Sequence, residues 1–161
     1  GLDGRTNEMS IEAKLAELGL ELPAAAAPVA SYVPCVEADG MLYVSGQISF
    51  AADGSLIKGR LGADMGVEAG KAAAARCALM ILAQVKAALG GSFGRVERVV
   101  KLGVFVQCTP EFTDQPEVAN GASDLFVAVF GEAGKHARAA VGVPALPRGV
   151  AVEVDAVLQL R

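Results

Sequence analysis

The chain is 161 residues long, 53% hydrophobic and 20% charged, with 14 basic and 18 acidic side chains and a formal net charge of −4. That length and apolar content build a folded chain with a real core and exclude a disordered one. The acidic balance excludes the broad basic footprint of a nucleic-acid binder, and no uncharged run reaches the roughly 18–20 residues that cross a bilayer.

Residues 10–19 predict a short amphipathic helix, with Ser10 as N-cap, Ile11, Leu15 and Leu18 as its apolar stripe and Gly19 as its stop. An Ala/Pro linker follows over 20–28. Residues 30–36 and 41–50 read as strands joined by the hairpin signal Asp39-Gly40, and 56–61 as a short edge strand after the Ala52-Asp53-Gly54 turn. The strongest helix signal covers 66–89. It is Ala-rich, carries Glu68 in its first turn and stops at Gly90-Gly91, with Ala74, Cys77, Ala78, Ile81, Val85 and Leu89 facing inward. Residues 96–108 alternate as a strand, Val100, Leu102, Val104 and Val106 on one face against Lys101, Gly103, Phe105 and Gln107 on the other. A second helix is predicted over 116–130, with Pro116 at its first position, Asp114 or Gln115 as cap, and Val118, Ala122, Leu125 and Val129 inward. Within it Asn120-Gly121 is an odd pair for a helix interior and points to close packing or a polar contact.

The chain closes on two strands. Residues 139–143 form the shorter one. Across the Pro/Gly loop 144–149 lies 150–160, where Val150, Val152, Val154, Ala156, Leu158 and Leu160 alternate with Glu153, Asp155 and Gln159. Read as a hairpin with Val143 opposite Val150, the register sets Ala140 across from Glu153 and Arg138 across from Asp155. Arg138, Glu153 and Asp155 would then project from one side of the sheet. A guanidinium near carboxylates is a candidate carboxylate-binding site with an acid/base group beside it. The commoner reading of such a pattern is a solvated cross-strand ion pair. The element order predicts an α+β fold: a mixed sheet, two helices packed on one face, an extra short N-terminal helix, and the other face bare.

Mean hydropathy is +0.43, and aromatic residues make up 5% of the chain with no Trp among them. The core must come from Ala, Val, Leu and Ile, and the apolar excess is assigned to a buried subunit interface. No basic segment followed by an apolar one opens the chain, which predicts cytoplasmic residence. Residues 1–8 read as an addition ahead of a native start at Met9, leaving 9–161 as one domain. Cys35, Cys77 and Cys108 are odd in number and far apart, which fits reduced thiols; none has metal-ligand spacing with another Cys or with His136, the only histidine, so no metal is expected. Gly59, Gly62 and Gly66 lack the spacing of a phosphate loop. Ser45 and His136 could be assembled with an Asp into a triad only on paper, because Ser45 has no nucleophile-elbow context. His136 reads first as a solvated loop residue, and Tyr32 and Tyr43 as strand packing.

The ordered series Tyr32-Val33, Tyr43-Val44-Ser45-Gly46-Gln47, Asn120, Ala137-Arg138, Leu146-Pro147 and Val152-Glu153-Val154 resembles the reactive-intermediate (enamine/imine) deaminase family, also called RidA/YjgF or the L-PSP endoribonuclease family. The resemblance runs over about 28–160. It implies a chorismate-mutase-like α+β fold and a homotrimer with ligand clefts between subunits. It implies hydrolysis of 2-imino or 2-enamino acids to 2-keto acids and ammonia without a cofactor. By the same resemblance Arg138 holds the substrate carboxylate, Glu153 positions the attacking water, and Tyr32, Ser45, Gly46, Asn120 and the backbone of Ala140 line or support the cleft. Many members carry Ser-Cys after the arginine; Ala139-Ala140 stand there in this chain, so a thiol contact is lost. The inserted 58–64 segment is a further departure that could reshape the cleft mouth. Asp155 is left as structural.

Two function classes follow: an imine deaminase, or a non-catalytic module binding small carboxylate metabolites through the same Arg138. Glu153 discriminates them, since only a hydrolase needs it. A ribonuclease reading rests on a family name alone and is opposed by the net charge of −4 and the single His.

Overall fold

The computed structural model describes residues 4–28 and 30–161, with side chains from Ile11 onward. Helix α1 (Gly4–Glu17) begins inside the stretch read as an addition, so Ser10 lies within the helix and is not its cap. Ile11 and Leu15 are buried against the rest of the core, whereas Leu18, past the last turn, is 51% exposed. Gly19 stops the helix in the left-handed region, φ 71°.

Strand β1 is Cys35–Ala38 and β2 is Met41–Ile48. Asp39 and Gly40 both take positive φ, as a two-residue hairpin turn of this handedness requires. The expected strand over 30–36 forms only at its last two residues. Pro34 cannot donate to a ladder; its carbonyl accepts the amide of Ser45, and the Ser45 hydroxyl donates to the Val33 carbonyl at 2.7 Å. The expected edge strand over 56–61 is also absent. Phe50 bridges Leu56, Lys58 bridges Val150 and Leu61 bridges Cys108, so the segment changes partner every few residues and builds no ladder.

Helix α2 (Val67–Ala88) follows, then β3 (Val96–Gln107), α3 (Gln115–Phe130), a 3₁₀ turn (Gly131–Gly134), β4 (Ala137–Val143), a second 3₁₀ turn (Pro147–Gly149) and β5 (Val152–Leu160). Ala74, Cys77, Ala78, Ile81 and Val85 of α2 are fully buried; Leu89, just past its end, is partly buried. In β3 a register shift between Val99 and Lys101 moves Val99 onto the core face, where Val100 was expected. Asp114 is the N-cap residue of α3, though its side chain makes no cap bond.

The sheet order is β1-β2-β5-β3-β4. The closing hairpin does not exist. β5 pairs antiparallel with β2 and β3, and β4 pairs parallel with the far side of β3. The apolar face of β5 is what decides this: as a central strand, Val152, Val154, Ala156 and Leu158 are buried beneath the helices. The parity of the last two strands changes with it. Arg138 matches Leu102, a core position, whereas Glu153 matches Phe105 and Asp155 matches Gly103 on the opposite face. Arg138 therefore faces the helices, and Glu153 and Asp155 face away from them.

The helices cover one face of the sheet. Val36, Tyr43 and Val141 on the other face are 51%, 49% and 45% exposed. Helices α2 and α3 approach so closely that a Cβ at Gly121 would lie 2.0 Å from the Lys71 carbonyl oxygen, which explains the glycine beside Asn120. Gly121→Ala is expected to cost ~1–3 kcal/mol or more, because backbone cannot yield as a side-chain tip can. A lower thermal midpoint would record it; an unchanged one would show that the helices separate freely.

Candidate functional site

Two clusters of the sequence-selected residues form, on opposite faces of the sheet. The first surrounds a bulge in β2. Between Val44 and Gln47 the pairing with β5 slips, so Ser45 and Gly46 together oppose a single step of β5. A Cβ at Gly46 would lie 2.6 Å from Glu153 Oε2, so the glycine is what lets the carboxylate rest on the strand backbone. Glu153, Gly46, Tyr32, Phe50 and Pro147 line one cleft of about 350 Å³, whose outer wall is the Ala26–Pro28 part of the linker. The linker is tied down from below: Gln84 Nε2 donates to the Ala26 carbonyl at 2.6 Å and to Gln47 Oε1 at 3.3 Å, and Gln47 Nε2 donates to the Ser45 carbonyl at 2.9 Å. Ser45 in turn holds the loop that carries Tyr32.

Glu153 is half-buried in this cleft. Burial, and then the charge of Asp155, push its carboxyl above the usual 4.5. Among the described residues no cation pairs with it. Sequence reasoning missed Arg148, which lines the same cleft with φ 58° and has no hydrogen-bond or ion-pair partner among the described residues. Its only signal was a non-glycine residue ahead of a glycine in a Pro-Arg-Gly turn. Gln84 was missed too; a buried amide in an otherwise apolar part of helix α2 was the signal there.

The second cluster lies between β4 and α3. Arg138 Nη1 donates to Asn120 Oδ1 at 2.8 Å and to Ser123 Oγ at 3.0 Å, and Nη2 reaches the Pro116 carbonyl at 3.4 Å. Asn120 thus touches Arg138 directly. Ala140 lies two residues along the same strand face, packed on the core. Among the described residues no acid pairs with Arg138, so the cross-strand ion pair is not formed. His136 is not a free loop residue: its Nε2 meets Ser123 Oγ at 2.8 Å and its Nδ1 meets the Gly134 carbonyl at 2.6 Å.

One chain does not bring the clusters together. β3 separates β4 from β5, which sets their backbones about 10 Å apart, and the side chains point to opposite faces. Among the described residues no three His, Cys, Asp or Glu side chains converge as metal ligands, all three cysteines are free, and no helix is long and apolar enough to cross a membrane.

Comparison with known proteins agrees with this fold. The chain is 54% identical over 151 residues to protein TCP17 of Trypanosoma cruzi, covering 93% of this chain and 94% of that one. Its fold matches the crystal structure of Atu1372, a protein of unknown function from Agrobacterium tumefaciens, with a TM-score of 0.92 and 44% identity, covering 98% of this chain and 97% of that one. It also matches RidA from the Antarctic bacterium Psychrobacter, with a TM-score of 0.58 and 33% identity, covering 84% and 93%. A family model described as "YjgF/chorismate_mutase-like, putative endoribonuclease" matches residues 12–157. With the sheet, the helices and nearly the whole length in agreement, the chain belongs to the YjgF/chorismate-mutase-like family, whose solved members include proteins named RidA.

Proposed function

We propose that the protein hydrolyses reactive 2-imino and 2-enamino acids to 2-keto acids and ammonia, at a site completed between copies of the chain. The observation that carries this reading is Arg138. Its guanidinium is held by α3, through Nη1 on Asn120 and Ser123 and a longer Nη2 contact to the Pro116 carbonyl, meets no acid among the described residues, and keeps Nε–H and the second Nη2 hydrogen as a fork for a planar carboxylate. Once the carboxylate is held, the adjacent imine carbon is electrophilic. Glu153 from a second copy takes a proton from water as the oxygen bonds to that carbon and passes it to nitrogen, giving the carbinolamine; it then moves the hydroxyl proton of that intermediate to nitrogen as the C–N bond breaks, leaving ketone and ammonia. The raised carboxyl of Glu153 suits a group that must both accept and return a proton.

The bare sheet face supports the assembly. Val36, Tyr43 and Val141 lie open there, with Glu153 and Asp155 among them. A homotrimer covering these faces absorbs the apolar excess and brings Arg138 of one copy toward the cleft of the next. Light scattering behind a sizing column is expected to give three times the 16.4 kDa chain mass; a monomer mass would remove the means of completing the site. Activity is tested on imines generated in situ by an amino-acid oxidase across several side chains. Release of keto acid faster than in buffer supports the hydrolase. Tight keto-acid binding with no acceleration supports the binding module.

A further inference from the structure

We propose that Ser123 and His136 are positioning residues that fix the carboxylate-binding edge of Arg138 through one directional chain of hydrogen bonds. The inference rests on Arg138 being the carboxylate ligand. An arginine on an edge strand has four rotatable bonds, so its charge alone does not decide which pair of N–H groups faces a ligand. Here both hydrogens of Nη1 have acceptors on α3, Asn120 Oδ1 at 2.8 Å and Ser123 Oγ at 3.0 Å. Nη2 reaches the Pro116 carbonyl at 3.4 Å with one hydrogen, which leaves Nε–H and the other Nη2 hydrogen as the fork for a carboxylate.

Asn120 is a sound acceptor by itself, because its carbonyl oxygen has no hydrogen to misplace. Ser123 is not: a hydroxyl can turn its own hydrogen toward the guanidinium or away from it. His136 settles the choice. The Gly134 carbonyl can only accept, so Nδ1 carries a proton, and the tautomer with its single proton there has Nε2 as an acceptor. Nε2 takes the Ser123 hydroxyl hydrogen at 2.8 Å, and the serine lone pairs are left toward Arg138. The chain therefore runs one way: Arg138 to Ser123, Ser123 to His136, His136 to Gly134.

Its far end is rigid. A Cβ at Gly134 would lie 2.2 Å from the Phe126 carbonyl, so that backbone sits tight on α3. Phe126, fully buried, meets the imidazole edge-on with ring centroids 6.3 Å apart and planes at 77°. His136 and Arg138 lie two residues apart at the start of β4, so one short segment carries both ends of the chain around Ser123.

The test is calorimetric affinity for 2-oxobutanoate, with KM and kcat on an imine where turnover is measurable. Ser123→Ala is expected to raise Kd and KM about tenfold, the loss of one hydrogen bond to a charged group, with kcat within about twofold. His136→Phe keeps the ring packing, removes the acceptor, and is expected to weaken binding in the same direction. His136→Gln, which can present an oxygen near the Nε2 position, is expected to restore most of that loss. The double variant should bind no more weakly than Ser123→Ala alone, since both changes cut one chain. If Arg138→Ala weakens binding but Ser123→Ala stays within twofold of wild type, this inference fails while the carboxylate site stands. If Arg138→Ala itself changes nothing, the proposed function fails and takes this inference with it. Equal loss from His136→Gln and His136→Phe, or a fall in kcat and thermal midpoint at unchanged Kd, would show a merely structural role and overturn the proposal. Should Ser123→Ala not fold, the two His136 variants decide alone.

Discussion

Replacing Arg138 by alanine is expected to lower kcat/KM for a 2-imino acid by ~2–4 kcal/mol, roughly 30- to 1000-fold. The size follows from what the guanidinium does. On the proposed reading it is a charged fork facing a charged planar group and serves ground state and transition state alike, so KM and the Kd of 2-oxobutanoate should carry most of the loss. The structure removes the usual confusion in such an experiment. Among the described residues Arg138 has no ion-pair partner, so the substitution strands no buried carboxylate. It frees the acceptors of Asn120 and Ser123 at a partly buried site that solvent still reaches, where water can replace the guanidinium. The fold should survive, and a circular dichroism melt checks this. Arg138→Lys keeps the charge but not the fork, so it should recover only part of the affinity. Unchanged 2-oxobutanoate affinity in Arg138→Ala would place the carboxylate elsewhere, and the first place to look would be Arg148 in the Glu153 cleft.

Much of the fold was legible because period and punctuation agreed. Helix α2 has an unbroken apolar stripe between glycines, and β5 has five alternating apolar positions, so no tertiary context was needed to type them. Pairing was not legible. A strand's own pattern says which residues share a face, but which face Arg138 shares depends on its neighbour. The loop over 144–149 looked like a hairpin turn; it instead carries the chain past the end of β3, where Leu146 N–H donates to Gln107 Oε1. Taking β4 as the partner of β5 set Arg138 beside Asp155, whereas the observed pairing with β3 sets it beside Leu102 and under α3. The residues chosen for the site came from the ordered motif series, which names side chains without placing them. Their arrangement as two clusters on opposite faces came only from the register. The link between Ser123 and His136 escaped because it crosses a helix end and a 3₁₀ turn, a spacing that carries no motif.

Glu153→Gln is expected to lower kcat by about 100-fold or more while leaving 2-oxobutanoate affinity nearly unchanged. Glutamine keeps the shape against Gly46 but can neither take the proton of the attacking water nor return it to nitrogen. Stability cannot account for such a loss. The folded carboxyl is raised above its ordinary 4.5, first by burial and then by the charge of Asp155. A raised acid contributes stability that is fully present below its unfolded value and is lost as pH rises through the folded one, because the folded state holds the proton more tightly. At neutral pH the neutral amide should therefore be at least as stable as the wild-type carboxylate. The same shift sets the pH profile. The base works only when ionised, so wild-type kcat should rise with pH through a midpoint above 4.5. Asp155→Asn removes the second cause and should move that limb toward lower pH. In Glu153→Gln the limb should vanish from the residual rate. A wild-type profile flat from acid to neutral pH, or a Glu153→Gln enzyme that keeps kcat, would take the proton transfer away from Glu153 and leave Arg138 as the ligand of a binding module.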